Sequence, residues 1–243
     1  MFSLKEYLTV GKLEAPFKEH MTEICASSTI TRVSLAYLSQ LQEQPTITEI
    51  EEELPLVRYA AEYWMDYATI CKDDEEVNTA ILKFFLEQRQ AYAVWSRIYR
   101  PCSVLMSRLP RPSPQTTSLY YASYGGLEQV VETLLKEGAD VNAQGGSYVN
   151  ALQVAAWNGN GAAVRLINRG ADVNAQGGYF GNALKAAVQK GNEEMVRLLV
   201  ESGADVNVQG GHYGSALQAA ATNGNQAAAS QLVAAAANST VKT

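Results

Sequence analysis

His20 and His212 are the two imidazoles of this 243-residue chain, and they are the first residues to ask about chemistry. They lie far apart in sequence. Neither has cysteines or carboxylates at the spacings that hold zinc. Cys25, Cys71 and Cys102 are also scattered, with no C-x-x-C pair. An odd count of this kind fits reduced thiols better than a disulfide framework. Phosphate transfer would need G-x-x-x-x-G-K-[ST], and a hydrolase nucleophile elbow would need G-x-S-x-G; neither occurs. The residues therefore predict no catalytic group, no metal and no cofactor, and the chain reads as a non-enzyme.

The remaining chemistry is that of contact. Aromatic and amide residues recur at a fixed period. Asp-Val-Asn-Ala-Gln-Gly-Gly begins at Asp140 and at Asp172, and Asp-Val-Asn-Val-Gln-Gly-Gly begins at Asp205, at intervals of 32 and 33 residues. Four units align around these strings, from Thr117, Asn150, Asn182 and Ser215. Each starts with a short segment rich in small residues, such as Ala155, Ala156, Ala186, Ala187, Ala219 and Ala220. A glycine follows (Gly126, Gly159, Gly191 or Gly224), able to end a helix in the left-handed conformation. A second segment carries apolar residues at helical spacing, as in Met195, Leu198 and Leu199. It closes at Gly138, Gly170 or Gly203 in the first three units.

This layout resembles the ankyrin repeat family, whose unit is two antiparallel helices and a hairpin-like loop. The family's usual Thr-Pro-Leu-His is replaced by Asn150-Ala151-Leu152-Gln153, Asn182-Ala183-Leu184-Lys185 and Ser215-Ala216-Leu217-Gln218. Asn and Ser still cap a helix, but the histidine's hydrogen bonds must be replaced or lost. The expected fold is all-α: a helical region over 1–112, then four repeats over 117–243. The last repeat is degenerate at Ala236-Ala237-Asn238. Unit two is one residue short between Val164 and Gly170, which places the missing residue near Leu166-Ile167.

Residues 1–112 show no repeat. Three helices are expected there. One is capped by Ser28, with Ile30, Val33, Tyr37, Leu38 and Leu41 on one face. A second starts near Pro55, with Leu56, Tyr59, Tyr63, Tyr67 and Ile70 in line. A third runs through Ile81, Phe85, Gln88, Tyr92, Trp95 and Tyr99. Such aromatic stripes are core packing before they are cofactor boxes. The acidic runs Glu51-Glu52-Glu53 and Asp73-Asp74-Glu75-Glu76 fit helix starts, where carboxylates suit the dipole. The segments from Pro55 to Asp66 and from Ser118 to Ser123 resemble the stretch before the ankyrin array in fungal NACHT-type receptors. Phe2 to Leu8 resembles the end of their winged-helix region, so the resemblance implies a chain that starts downstream of their NTPase.

A net charge of −6 gives the chain no electrostatic reason to seek nucleic acid. The charged residues near the N-terminus and the lack of a long apolar run predict a cytoplasmic protein without membrane contact. The expected partner is another protein. The ankyrin resemblance puts its contacts at the ends of the first helices, Tyr124, Trp157 with Asn158, and Lys190, and at the loop tips, Tyr148, Tyr179 with Phe180, and His212 with Tyr213. Aromatics at the loop tips can instead stabilise the stack by packing on the next loop. Two alternatives stand beside a binding module: a structural fragment without a partner, and an enzyme built on the aromatic helical half.

Overall fold

The computed structural model describes residues 23–42, 46–99, 116–146 and 148–240, with side chains described as far as residue 237. Thirteen helices and no strand lie among them. The chain divides into two compact units, Met1–Ser107 and Arg108–Thr243.

The first unit contains α1 (Glu23–Leu38), α2 (Ile47–Glu53), α3 (Val57–Ile70), α4 (Glu75–Leu86) and α5 (Arg89–Ile98). Its core is aromatic, as expected. Trp64 and Trp95 are fully buried, 5.6 Å apart, with Phe84 and Phe85 edge-on around Trp64. The Trp95 indole donates to the Ala61 carbonyl oxygen at 3.1 Å.

Five local expectations need correcting. The helix α1 starts five residues before Ser28, whose hydroxyl donates to Asp74 at 2.7 Å instead of capping. Val33 faces outward at 62% exposure, while Leu35 joins Ile30, Leu38 and Leu41 inside. On α3 the buried residues are Val57, Ala60, Ala61, Trp64, Met65, Tyr67 and Ala68, so of the expected line only Tyr67 is inside, because small residues beside one large ring let α1 approach closely. Tyr63 and Ile70 are left at its margin. The expected helix through 81–99 is two helices, α4 and α5, because Glu87 and Gln88 N–H both turn back to the Lys83 carbonyl. Of the acidic runs, Asp74 does cap α4, accepting from Glu76 and Val77. Glu51-Glu52-Glu53 instead ends α2, whose start is a Thr46–Glu49 capping box.

The second unit contains α6 (Ser118–Tyr124), α7 (Glu128–Lys136), α8 (Ala151–Asn158), α9 (Ala162–Asn168), α10 (Ala183–Lys190), α11 (Glu193–Glu201), α12 (Ala216–Thr222) and α13 (Gln226–Thr240). They pair as four helix hairpins. Thr117, Asn150, Asn182 and Ser215 each cap a first helix by accepting the N–H three residues on. The expected alanines of the first helices, Ala155, Ala156, Ala186, Ala187, Ala219 and Ala220, are fully buried, so neighbouring helices pack closely.

The repeated heptapeptide holds one unit to the next. Asp140, Asp172 and Asp205 each accept the N–H two residues on, fixing their own turn. Asn142 then reaches forward: its amide donates to the Gly170 carbonyl at 3.3 Å and accepts the Asp172 N–H at 2.8 Å. Asn174 repeats this with Gly203 and Asp205 at 3.1 and 2.8 Å. The missing histidine's bonds are replaced. Gln153 is 1% exposed and donates to the Ala175 carbonyl of the next loop. Lys185, also 1% exposed, directs its ammonium at the carbonyls of Val208, Gly210 and Gly214, at 3.4, 2.7 and 3.1 Å. Burial pulls its pKa below the ordinary lysine value.

The second helix of unit two is short, as expected, with seven residues against nine in α7 and α11. The missing residue is elsewhere, however. The buried positions of α9 are Ala162, Ala163 and Leu166, matching Met195, Val196 and Leu199 of α11 counted back from the closing glycine. Val164 points outward at 42% exposure. The deletion therefore lies at the start of α9, where Asn160 accepts the Ala162 N–H two residues on rather than three.

One backbone position breaks the repeat's own rule. Val149 has φ 77°, where its counterparts Gly181 and Gly214 have φ 91° and 72°. A β-branched residue is strained there. Relief of that strain, about 1–3 kcal/mol, exceeds the extra chain entropy of glycine, about 0.5–1 kcal/mol. Val149→Gly should raise the melting temperature of the repeats by a few degrees, followed by circular dichroism. A fall would show that Val149 packing on Gly177, where its methyls lie close, outweighs the strain.

Candidate interaction face

The ends of the first helices and the tips of the loops meet in one aromatic strip. Trp157, in the last turn of α8, stacks on Phe180 of the next loop with centroids 4.6 Å apart and planes 21° apart. Phe180 stacks in turn on Tyr148 at 5.5 Å and meets Tyr179 edge-on at 5.0 Å. Tyr179 stacks on His212 at 4.7 Å, and His212 meets Tyr213 edge-on at 4.7 Å. The strip thus runs without a break across units two to four. Lys190 closes one end, its ammonium 5.1 Å from the centre of the Trp157 ring.

Loop geometry places these rings. In each hairpin-like loop a glycine N–H donates back across the tip: Gly145 to Val149, Gly177 to Gly181 and Gly210 to Gly214. Successive loops are also tied directly, with His212 N–H donating to the Tyr179 carbonyl at 2.9 Å.

The structure sorts the expected contact residues. Tyr148 and Phe180 are both 1% exposed and form the floor of the strip, so they are corrected from contact residues to packing residues. Burial raises the Tyr148 phenol pKa first, and the neighbouring Tyr124 adds to it. Trp157 is half-buried rather than freely projecting, because Phe180 and Tyr148 lie against it. The polar counterparts Gln189 and Thr222 gave no hint of this packing role. Tyr124, Tyr179 and Tyr213 are partly exposed, and Lys190 and His212 are exposed. Asn158 is exposed but committed to the previous unit, donating to the Tyr124 carbonyl at 2.7 Å. Asn223 does the same toward Gln189. Ser147, His20 and Cys102 lie outside the described residues.

Other chemistry finds little support among the described residues. No group of three His, Cys, Asp or Glu could hold a metal ion. No helix is long and apolar enough to cross a membrane. An open groove of 670 Å³ beside α1 and α4 is lined by Arg32, Val33, Ala36, Lys83 and Gln88, among others, and by no His, Cys, Asp or Glu.

Comparison with known proteins agrees with this geometry. Residues 152–243 match the family model for ankyrin repeats in three copies, and residues 115–146 match the single ankyrin repeat model. Together they cover just over half of the chain. A relative from Monascus ruber, named "Azaphilone pigments biosynthesis cluster protein L", is 33% identical over 187 residues. That match covers 68% of this chain and 39% of the relative, so the chain spans well under half of that protein's length.

Proposed function

Because the second half of the chain belongs to the ankyrin repeat family, we propose that this protein is a protein-interaction module that holds its partner on the aromatic strip. The supporting observation is the continuous stack from Trp157 to Tyr213, with the exposed Lys190 ammonium at one end and the exposed His212 ring on its open edge. Packing alone does not require so many polar-tipped rings at a solvent edge. Tyrosine and tryptophan held on a rigid scaffold are efficient anchors, because they bury large areas at small entropic cost. Residues Tyr124, Trp157, Tyr179, His212, Tyr213 and Lys190 make the direct contacts, with Tyr148 and Phe180 as the floor.

A finer reading places the chain in a fungal NACHT–ankyrin lineage, as the part that follows the NTPase. It rests on the resemblance of 55–66 and 118–123 to those receptors. In that reading the strip is a sensing surface and the signalling machinery resides elsewhere.

The test is affinity capture from the native cell, followed by titration of the captured protein. Trp157→Ala should weaken binding roughly thirtyfold, which corresponds to about 2 kcal/mol for a truncated aromatic anchor. Loss of the Phe180 stack should also lower stability by about 1 kcal/mol, so the melting curve must accompany the titration. A folded variant with unchanged affinity eliminates Trp157 as the anchor.

A further inference from the structure

The repeat unit separates its charges. Four stretches build the first helices and the loop tips: 117–126, 143–159, 175–191 and 208–224. None contains an aspartate or a glutamate. All nine carboxylates between 116 and 240 lie on the second helices and the turns around them. Those at Asp140, Asp172 and Asp205 are spent on their own turns. Glu128 and Glu132 are spent on Arg165 and Arg169 of the following unit. The chain is acidic as a whole, yet the one exposed charge among the described residues of its aromatic strip is the Lys190 ammonium, with Lys185 buried beneath the loops.

Such separation affects which partner the strip accepts. A carboxylate approaching Lys190 meets no like charge on this face. A basic segment would meet Lys190 and find nothing to pair with. Rim charges of this kind set specificity and association rate more than raw affinity. A single exposed lysine is too little to hold a nucleic acid backbone, whose binding scales with the number of phosphates neutralised.

Building on the proposed function, we infer that the strip recognises an acidic peptide segment, with an apolar side chain against the Trp157–Phe180 stack and a carboxylate toward Lys190. The stack offers a flat apolar surface, and the ammonium above Trp157 is still open to solvent on its outer side. The amide groups around it add no charge: Asn158 donates to the Tyr124 carbonyl, and Asn223 donates to the carbonyl and the side-chain oxygen of Gln189.

The experiment pans the full chain against a displayed library of random short peptides, then counter-selects on Trp157→Ala. Peptides that depend on Trp157 should be enriched in Asp and Glu beside an apolar residue, and depleted in Lys and Arg. The best such peptide, made synthetically, should bind Lys190→Glu about tenfold more weakly, the factor given by about 1.4 kcal/mol. Added salt should weaken its binding to wild type. Arg197→Glu, an equal charge reversal on the exposed side of α11, should leave it unchanged. Trp157-dependent peptides that are neutral or basic, or indifference to Lys190→Glu, overturn the acidic partner and leave the strip standing. Failure to find any Trp157-dependent binder overturns both.

Discussion

Gly211→Ala should cost the repeat unit about 2–4 kcal/mol, built from left-handed strain of about 1–3 kcal/mol and a broken loop contact of about 1 kcal/mol. Gly211 has φ 72°, and a Cβ there would lie 2.4 Å from the Phe180 carbonyl oxygen and 2.8 Å from the Gly181 nitrogen. These are backbone atoms, so the two loops must separate. Separation takes with it the His212 N–H bond to Tyr179 and the Tyr179–His212 stack. Domains are stable by only about 5–15 kcal/mol, so the melting temperature should fall by roughly ten degrees. Gly203→Ala isolates the strain from the clash. Gly203 has φ 91°, but nothing lies within 4 Å of its added Cβ. It should cost about 1–2 kcal/mol. Equal losses in the two variants would mean that loop-to-loop contact contributes nothing.

A leucine inserted after Leu166 should be the second large effect, a loss of about 2–4 kcal/mol of the size seen when packing and caps fail together. The insertion turns everything after Leu166 by about 100°. Gly170 then leaves the left-handed position that closes α9, with Ala171 N–H bonded to Leu166 O. Arg169 leaves Glu132, and the bonds from Asn142 to Gly170 and Asp172 are misplaced. By contrast, an alanine inserted after Gly161 lengthens α9 at the end where a residue is missing. It leaves Ala162, Ala163 and Leu166 in register with the closing glycine. That variant should keep or raise the melting temperature. If the leucine insertion is the tolerated one, the deletion lies where the letters of the sequence put it, and the burial register is misleading.

These two variants show what the sequence carried. In the repeats the period, the capping residues and the glycines near the helix ends are local signals, and each marked its element correctly. The purpose of Asn142 and Asn174 was not legible, because their partners lie in the next unit and meet them only after stacking. The deletion was misplaced because Val164 matched Val196 by letter, while the fold fills that site with Ala163. In the first unit, Tyr59, Tyr63 and Ile70 made the stronger pattern, yet the core chose the alanines around Trp64. Helical spacing alone cannot rank two adjacent faces; the packing partner does. The site was half legible. Aromatics at matching loop positions marked the strip, but alternate rings face inward and outward, which burial alone distinguishes. The absence of carboxylates from this face was present in the sequence, and required the fold to show that the four stretches adjoin.

The central claim is that the partner lies on the aromatic strip. Amide hydrogen exchange of the whole chain, with and without the bound partner, tests it most directly. Protection should rise in the loop tips 145–149, 177–181 and 210–214, and at the ends of α8 and α10, while α7, α11 and the helices of the first unit stay unchanged. Protection confined to α7 and α11, or to residues 23–99, would contradict the account and move the binding face off the strip.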